Sequence, residues 1–194
     1  MLMTPAAHAG FCASGASCVI ELTSSNVIGF AIDVRVNINN TGPATVLTVS
    51  FISSSIANTP LGIDQFGYNS SVLASSLPAG WSQASGSGFQ MDGFGQFTSE
   101  IDRPGGTDLS FSFTLASLVT TFTENANGGE FAGHIRFGPS PTGAGCSTFF
   151  SDGTSNSQTA NPGCIPSQRV PEPGSLMLLG IGLLGLALAR RRTS

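Results

Sequence analysis

The sequence predicts an all-β protein: an antiparallel β-sandwich of about eight to ten strands, jelly-roll-like or immunoglobulin-like, followed by a single short C-terminal transmembrane helix. Three observations predict it. Apolar and polar residues alternate through the middle of the chain, turn clusters rich in Gly, Pro and Asn interrupt the alternation at short intervals, and no window outside the C-terminal tail sustains a helical period.

The longest alternation places Ile28, Phe30, Ile32, Val34, Val36 and Ile38 on one face and Gly29, Ala31, Asp33, Arg35, Asn37 and Asn39 on the other, the pattern of a half-buried strand. Further strands are expected at Leu47, Val49 and Phe51; at Phe97 and Ile101; at Leu109, Phe111, Phe113 and Leu115; and at Phe131, Ile135 and Phe137. Shorter ones are expected around Val19 to Leu22, Ile63 to Tyr68 and Trp81. Turns fall at Asn39 to Pro43, Ser85 to Gly88, Arg103 to Gly106 and Asn125 to Gly129. The many phenylalanines are then core residues.

Residues 1–9 read as the remnant of a signal peptide, residues 10–168 as one β-sandwich domain and residues 169–194 as a sorting tail. Ala7-His8-Ala9 is a small-residue cleavage signature, and the short stretch before it lacks a basic and an apolar region, so the true start codon is expected upstream of Met1. Within residues 10–168 ten acidic residues stand against three arginines, a net charge of −7, and the chain has no lysine. Such a surface repels phosphate backbones, which excludes nucleic acid as an expected partner. Cys12 with Cys18 and Cys146 with Cys164 form two local pairs, expected to be disulfides in an exported chain. Neither pair has zinc-ligand spacing, and no cofactor is expected.

The tail sets the address. Ser175 to Ala189 carry no charge, and as a helix at roughly 1.5 Å per residue they reach about 22 Å, short of the ~30 Å hydrocarbon core. Arg190, Arg191 and Arg192 form the membrane stop and hold the C-terminus in the cytoplasm, so the body lies on the far side. Pro171 and Pro173 bracket Glu172 and keep that step out of a helix. Gly180, Gly182 and Gly185 formally match a dinucleotide fingerprint but lack its strand, its turn and its later acid.

Val170-Pro171-Glu172-Pro173, the Leu/Gly-rich span and the terminal arginines resemble the PEP-CTERM sorting signal of Gram-negative bacteria. The resemblance implies recognition by a membrane exosortase, an inner-membrane-anchored intermediate, removal of the helix, and delivery to the cell surface or an exopolysaccharide matrix. More loosely, Leu77 to Trp81, Asp92 to Phe97, Phe131 to Ile135 and Cys146 to Gly153 resemble β-rich domains of other PEP-CTERM proteins, which implies no activity.

Chemistry is sparse in the body. His134 is the only histidine of the domain, on the strand face opposite Phe131, Ile135 and Phe137, and no G-x-S-x-G elbow occurs. Candidate carboxylate pairs for glycoside hydrolysis are Glu100 with Asp102, Asp102 with Asp108 and Glu124 with Glu130; the first pair shares a face opposite Ile101, the ordinary pattern of a solvated edge. Glu124, Asn125, Asn127 and Glu130 form the most ligand-like loop, a calcium candidate read against a plain Asn/Gly hairpin turn. Trp81, Tyr68 and Phe89 are the candidate sugar-stacking rings, and Thr121-Phe-Thr123 is one instance of an ice-binding pattern. The expectation is a non-enzymatic surface or exopolysaccharide-matrix component with a structural or carbohydrate-interacting role. The alternatives are a surface-displayed glycan hydrolase, which needs an acidic cleft, and a calcium-dependent adhesion or ice-binding module.

Overall fold

The computed structural model describes residues 11–84, 88–139, 143 and 145–166; the expected signal remnant, the Pro-Glu-Pro step, the transmembrane helix and the arginine stop lie outside them. The described residues contain strands and turns only. In chain order the strands are β1 (Ser17–Leu22), β2 (Ser24–Ser25), β3 (Ile32–Asn39), β4 (Val46–Ser54), β5 (Pro60–Tyr68), β6 (Ala74–Ser76), β7 (Ser82–Gln83), β8 (Phe89–Met91), β9 (Gly95–Phe97), β10 (Ser99–Asp102), β11 (Ser110–Leu115), β12 (Phe131–Phe137) and β13 (Cys146–Ser151). Sheet one has the order β1-β3-β4-β11-β6 and sheet two β2-β13-β12-β5-β10-β7; β8 and β9 form a separate hairpin. Every strand pairing is antiparallel.

Period-two patterning produces this arrangement directly. Ile32, Val34, Val36 and Ile38 of β3 and Leu47 and Val49 of β4 are buried, and they face Ile63, Phe66, Tyr68, Ile101, Phe131, Ile135 and Phe150 of sheet two in one core. Rings close the space between the sheets: Phe66 meets Phe111 and Phe113 edge-on at 5.9 and 6.1 Å. The expected first strand is shorter than its alternation. Gly29 takes φ +81, the amide of Phe30 bonds back to Val27, and Ile28 is left 56% exposed, so β3 begins at Ile32.

The strand count exceeds the expected eight to ten. Eight strands have four residues or more; of the five with two or three residues, β7 and β9 lie at the expected Trp81 and Phe97 segments, and β2, β6 and β8 fall where no alternation marks them. The Phe97 to Ile101 segment splits between β9 and β10, which belong to different sheets.

Gly62 shows how close the backbones approach. Its φ is +135, and a Cβ there would lie 2.6 Å from the carbonyl carbon of Asp108, whose amide and carbonyl both bond to Ile63. Gly62→Ala is expected to cost about 2–3 kcal/mol, measured as a lower urea midpoint with unchanged slope.

Both expected disulfides are formed, Cys12–Cys18 and Cys146–Cys164. Each sits beside a buried asparagine that ties a chain end to the body. The Asn40 amide donates to the carbonyls of Cys12 and Val119, and the Asn58 amide donates to Gly138 and Gly163 while its oxygen accepts the amide of Ile165. Because Asn40 follows β3 and Asn58 follows β4, which run antiparallel, the chain enters the sandwich at one pole and leaves it at the other.

Candidate functional site

The polar residues with the most chemistry gather on the outer face of sheet two. On β12 the core takes Phe131, Gly133, Ile135 and Phe137, so His134 and Arg136 point outward, as the alternation predicts for His134. Opposite them, β5 carries a bulge: His134 pairs with Gln65 but Ile135 pairs with Ile63, which leaves Asp64 as the extra residue. That insertion sends two consecutive polar side chains to one face. Asp64 Oδ1 lies 2.6 Å from His134 Nδ1, and Asp64 Oδ2 lies 3.2 Å from Arg136 Nε. The His134 ring packs on Phe149 of β13, centroids 4.6 Å apart. Beside this cluster a depression of about 430 Å³ is lined by Leu61, Arg136, Phe137, Pro139, Gly145, Cys146 and Ser147.

The same face continues across β10. Glu100 pairs with Gly67 and Asp102 with Gln65, so the polar row reads His134, Gln65, Asp102 across three strands. The two acids share a face opposite Ile101, as expected, but the strand is not a solvated edge. Strand β7 pairs along its other side, and Glu100 is only 5% exposed. The hairpin of β8 and β9 lies over the neighbouring Gly67, where a Cβ would meet Met91 and Phe97, and with Phe94, Ala132 and Phe149 it makes a second small core. Burial pushes the Glu100 carboxyl up to about 7; the Gln65 amide, donating at 3.0 Å, opposes this, and the adjacent Asp102 carboxyl reinforces it.

The three candidate carboxylate pairs are placed differently. Glu100 and Asp102 stand two residues apart on one face of β10, close enough for the Asp102 carboxyl to act on Glu100. Asp108 is held by Arg103 at 3.1 Å and by the indole of Trp81 at 2.8 Å, which removes it from a pair with Asp102. Glu124 is exposed while Glu130 is buried.

The other candidates fall elsewhere. In the Glu124 to Glu130 loop the Asn125 oxygen accepts the amides of Asn127 and Gly129, and its NH₂ donates to Phe94 and Gln96, so this side chain is engaged in closing the turn. Among the described residues no group of three or more His, Cys, Asp or Glu is arranged to hold a metal ion. Trp81 and Tyr68 are core residues, Trp81 stacking on Phe111 at 4.0 Å, and are not available to a sugar. Thr121 bridges to Phe11 outside either sheet. A feature the sequence reading missed is a hydroxyl ladder on the outer face of sheet one, where Thr48 meets Ser112 and Ser50 meets Ser110, each at 2.7 Å.

Fold and site together define a disulfide-pinned, all-β body with one polar, ring-flanked face. The segment that follows this body, residues 169–192, matches the PEP-CTERM protein-sorting motif, and the chain carries that motif. The motif implies processing by an exosortase, a membrane-anchored sorting intermediate and export to the cell surface. No curated protein and no solved structure matches the chain.

Proposed function

We propose that the chain is a non-enzymatic surface or exopolysaccharide-matrix component of a Gram-negative bacterium, released from its inner-membrane intermediate by a membrane exosortase, with a body that interacts with carbohydrate. The sorting motif over residues 169–192 supports this reading, because it implies export to the cell surface, where surface polysaccharide is a natural partner. The row His134, Gln65, Asp102 and the adjacent depression supply the polar groups such contact needs. The calcium-dependent adhesion and ice-binding alternatives have no observation that favours them.

Intact mass of the protein recovered from the host surface tests the processing. The expected species ends near Pro171 to Pro173 and keeps both disulfides; a species retaining Arg190 to Arg192 would refute release. Carbohydrate contact is tested by retention of the protein on the host's own exopolysaccharide. Asp102→Asn and His134→Ala should each weaken retention by about tenfold, the loss of one hydrogen-bonding group. Unchanged retention in both variants removes this face from the reading.

A further inference from the structure

We propose that, while the tail still holds the protein in the membrane, the pole at which the chain leaves the sandwich rests on the phospholipid surface, with Ile28, Leu61 and Leu109 entering the lipid interface. The proposal rests on the membrane-anchored intermediate and adds to it an orientation and a contact surface. It begins from the exit. The amide of Ala57 bonds to Ile165 at 2.7 Å, Ile56 bridges to Pro166, and the Cys146–Cys164 disulfide fastens the same segment, so Pro166 is held at this pole. Only residues 167–174 separate it from the apolar stretch that starts at Ser175. Fully extended, eight residues reach roughly 27 Å, about the length of one strand of this sandwich, so the exit pole cannot leave the neighbourhood of the bilayer.

What that pole exposes is apolar. Strands β3, β5 and β11 all start there, and each is preceded or opened by an exposed aliphatic side chain: Ile28 at 56%, Leu61 at 50% and Leu109 at 45%. Ile52, 45% exposed near the end of β4, lies on the adjoining flank. The described residues of the segments that build the pole, 26–31, 55–59, 103–109, 138, 139, 143, 145 and 159–166, contain only Arg103 and Asp108 as charged residues, and these two pair at 3.1 Å; Asp92 reaches Asn26 at 3.2 Å and Arg136 lies beside Leu61 at its margin. At the opposite pole the exposed apolar residues Phe11 and Leu73 share their surface with the exposed acid Glu124. Burial of aliphatic side chains at the headgroup boundary binds a protein to a surface without any cationic attraction. With no lysine and a net charge of −7 over residues 10–168, the body has little cationic attraction to offer a lipid surface.

The test uses the full chain inserted in phosphatidylcholine nanodiscs, read by amide hydrogen exchange, beside the triple variant Ile28→Asn, Leu61→Asn, Leu109→Asn, whose sites are surface positions. Co-migration with the discs reports tail insertion, and a matching thermal melt reports an intact fold. The expected result is exchange slowed about threefold or more across 26–31, 57–63 and 105–110 in the wild type, lost in the triple variant, with 117–129 unaffected in both. Insertion with equal exchange in the two proteins, or protection at 117–129 instead, overturns the docking and leaves the anchor standing. A chain that does not co-migrate overturns both. Protection that appears only when exosortase is added assigns the pole to the enzyme and overturns the bilayer as its occupant.

Discussion

Phe66→Ala is expected to remove about 3–5 kcal/mol of stability, the largest effect of any single truncation in this fold. Phe66 is fully buried at the centre of the sandwich and is one of the rings through which the sheets touch, beside the pairs Tyr68–Phe113 and Phe51–Phe137. It meets Phe111 and Phe113 of sheet one edge-on and stacks on its sheet-two neighbour Phe131 at 6.0 Å. The space it would vacate is bounded by strands that cannot close on it. Behind it the backbones are already at contact distance, since a Cβ on Gly133 would lie 2.5 Å from the Phe150 ring and 2.8 Å from the Gln65 carbonyl. The cost is therefore both the lost transfer energy and an unrelaxed cavity. Equilibrium urea unfolding under oxidising conditions measures it, with Leu73→Ala, 53% exposed, as the control expected to stay within about 0.5 kcal/mol of wild type. A midpoint shift for Phe66→Ala no larger than the control's would mean that the two sheets are not packed through this ring.

The contrast between those residues also marks what is legible in a sequence of this kind. Buried strands announce themselves by period two, and Ile32 to Ile38, Phe111 to Leu115 and Phe131 to Phe137 lie where the alternation puts them. Cysteine pairing is local and exported chains oxidise, so both disulfides were readable. The sorting address is written in a contiguous motif and needs no fold at all. The outer face of sheet two is different. Asp64 reaches His134 across 70 residues of chain only because a bulge adds one residue to β5, and no local pattern encodes a bulge. Glu100 looks solvated from its neighbours in sequence; it is buried where β7 pairs along the far side of β10 and the β8–β9 hairpin covers the adjacent Gly67, short elements whose side chains carry little periodicity. Trp81 and Tyr68 err in the opposite direction: aromatic residues near glycine-rich turns suggest a platform, and packing places both in the core.

The buried carboxyls give the body an unusual pH dependence, with stability expected to fall as pH rises from 5 to 8. Burial pushes Glu100 up to about 7 and Asp152 up to about 6, the latter against the amides of Phe131 and Glu130 that donate to it. In the unfolded chain both groups ionise near pH 4. Between pH 4 and the folded values the native state therefore holds more protons than the unfolded state. Proton release on unfolding makes the folded form lose ground with each step upward in pH. The stabilisation is fully present below about pH 4 and is gone once pH passes the folded values near 6 and 7. From pH 5 to pH 8 the loss is about 2 kcal/mol for Glu100 and about 1 kcal/mol for Asp152. The steps separate: Asp152 contributes mainly below pH 6, while Glu100 continues to titrate up to pH 7. Glu100→Gln retains the neutral, hydrogen-bonding form and should remove the upper part of the slope while raising stability at pH 8. Melting temperatures across this range at fixed ionic strength read both effects. A wild-type Tm that is flat or rising from pH 5 to 8 would show that the Glu100 carboxyl is not held in a buried site. In that case the polar row on sheet two would be an open surface, without the buried acid that now fixes Gln65 and Asp102 in place.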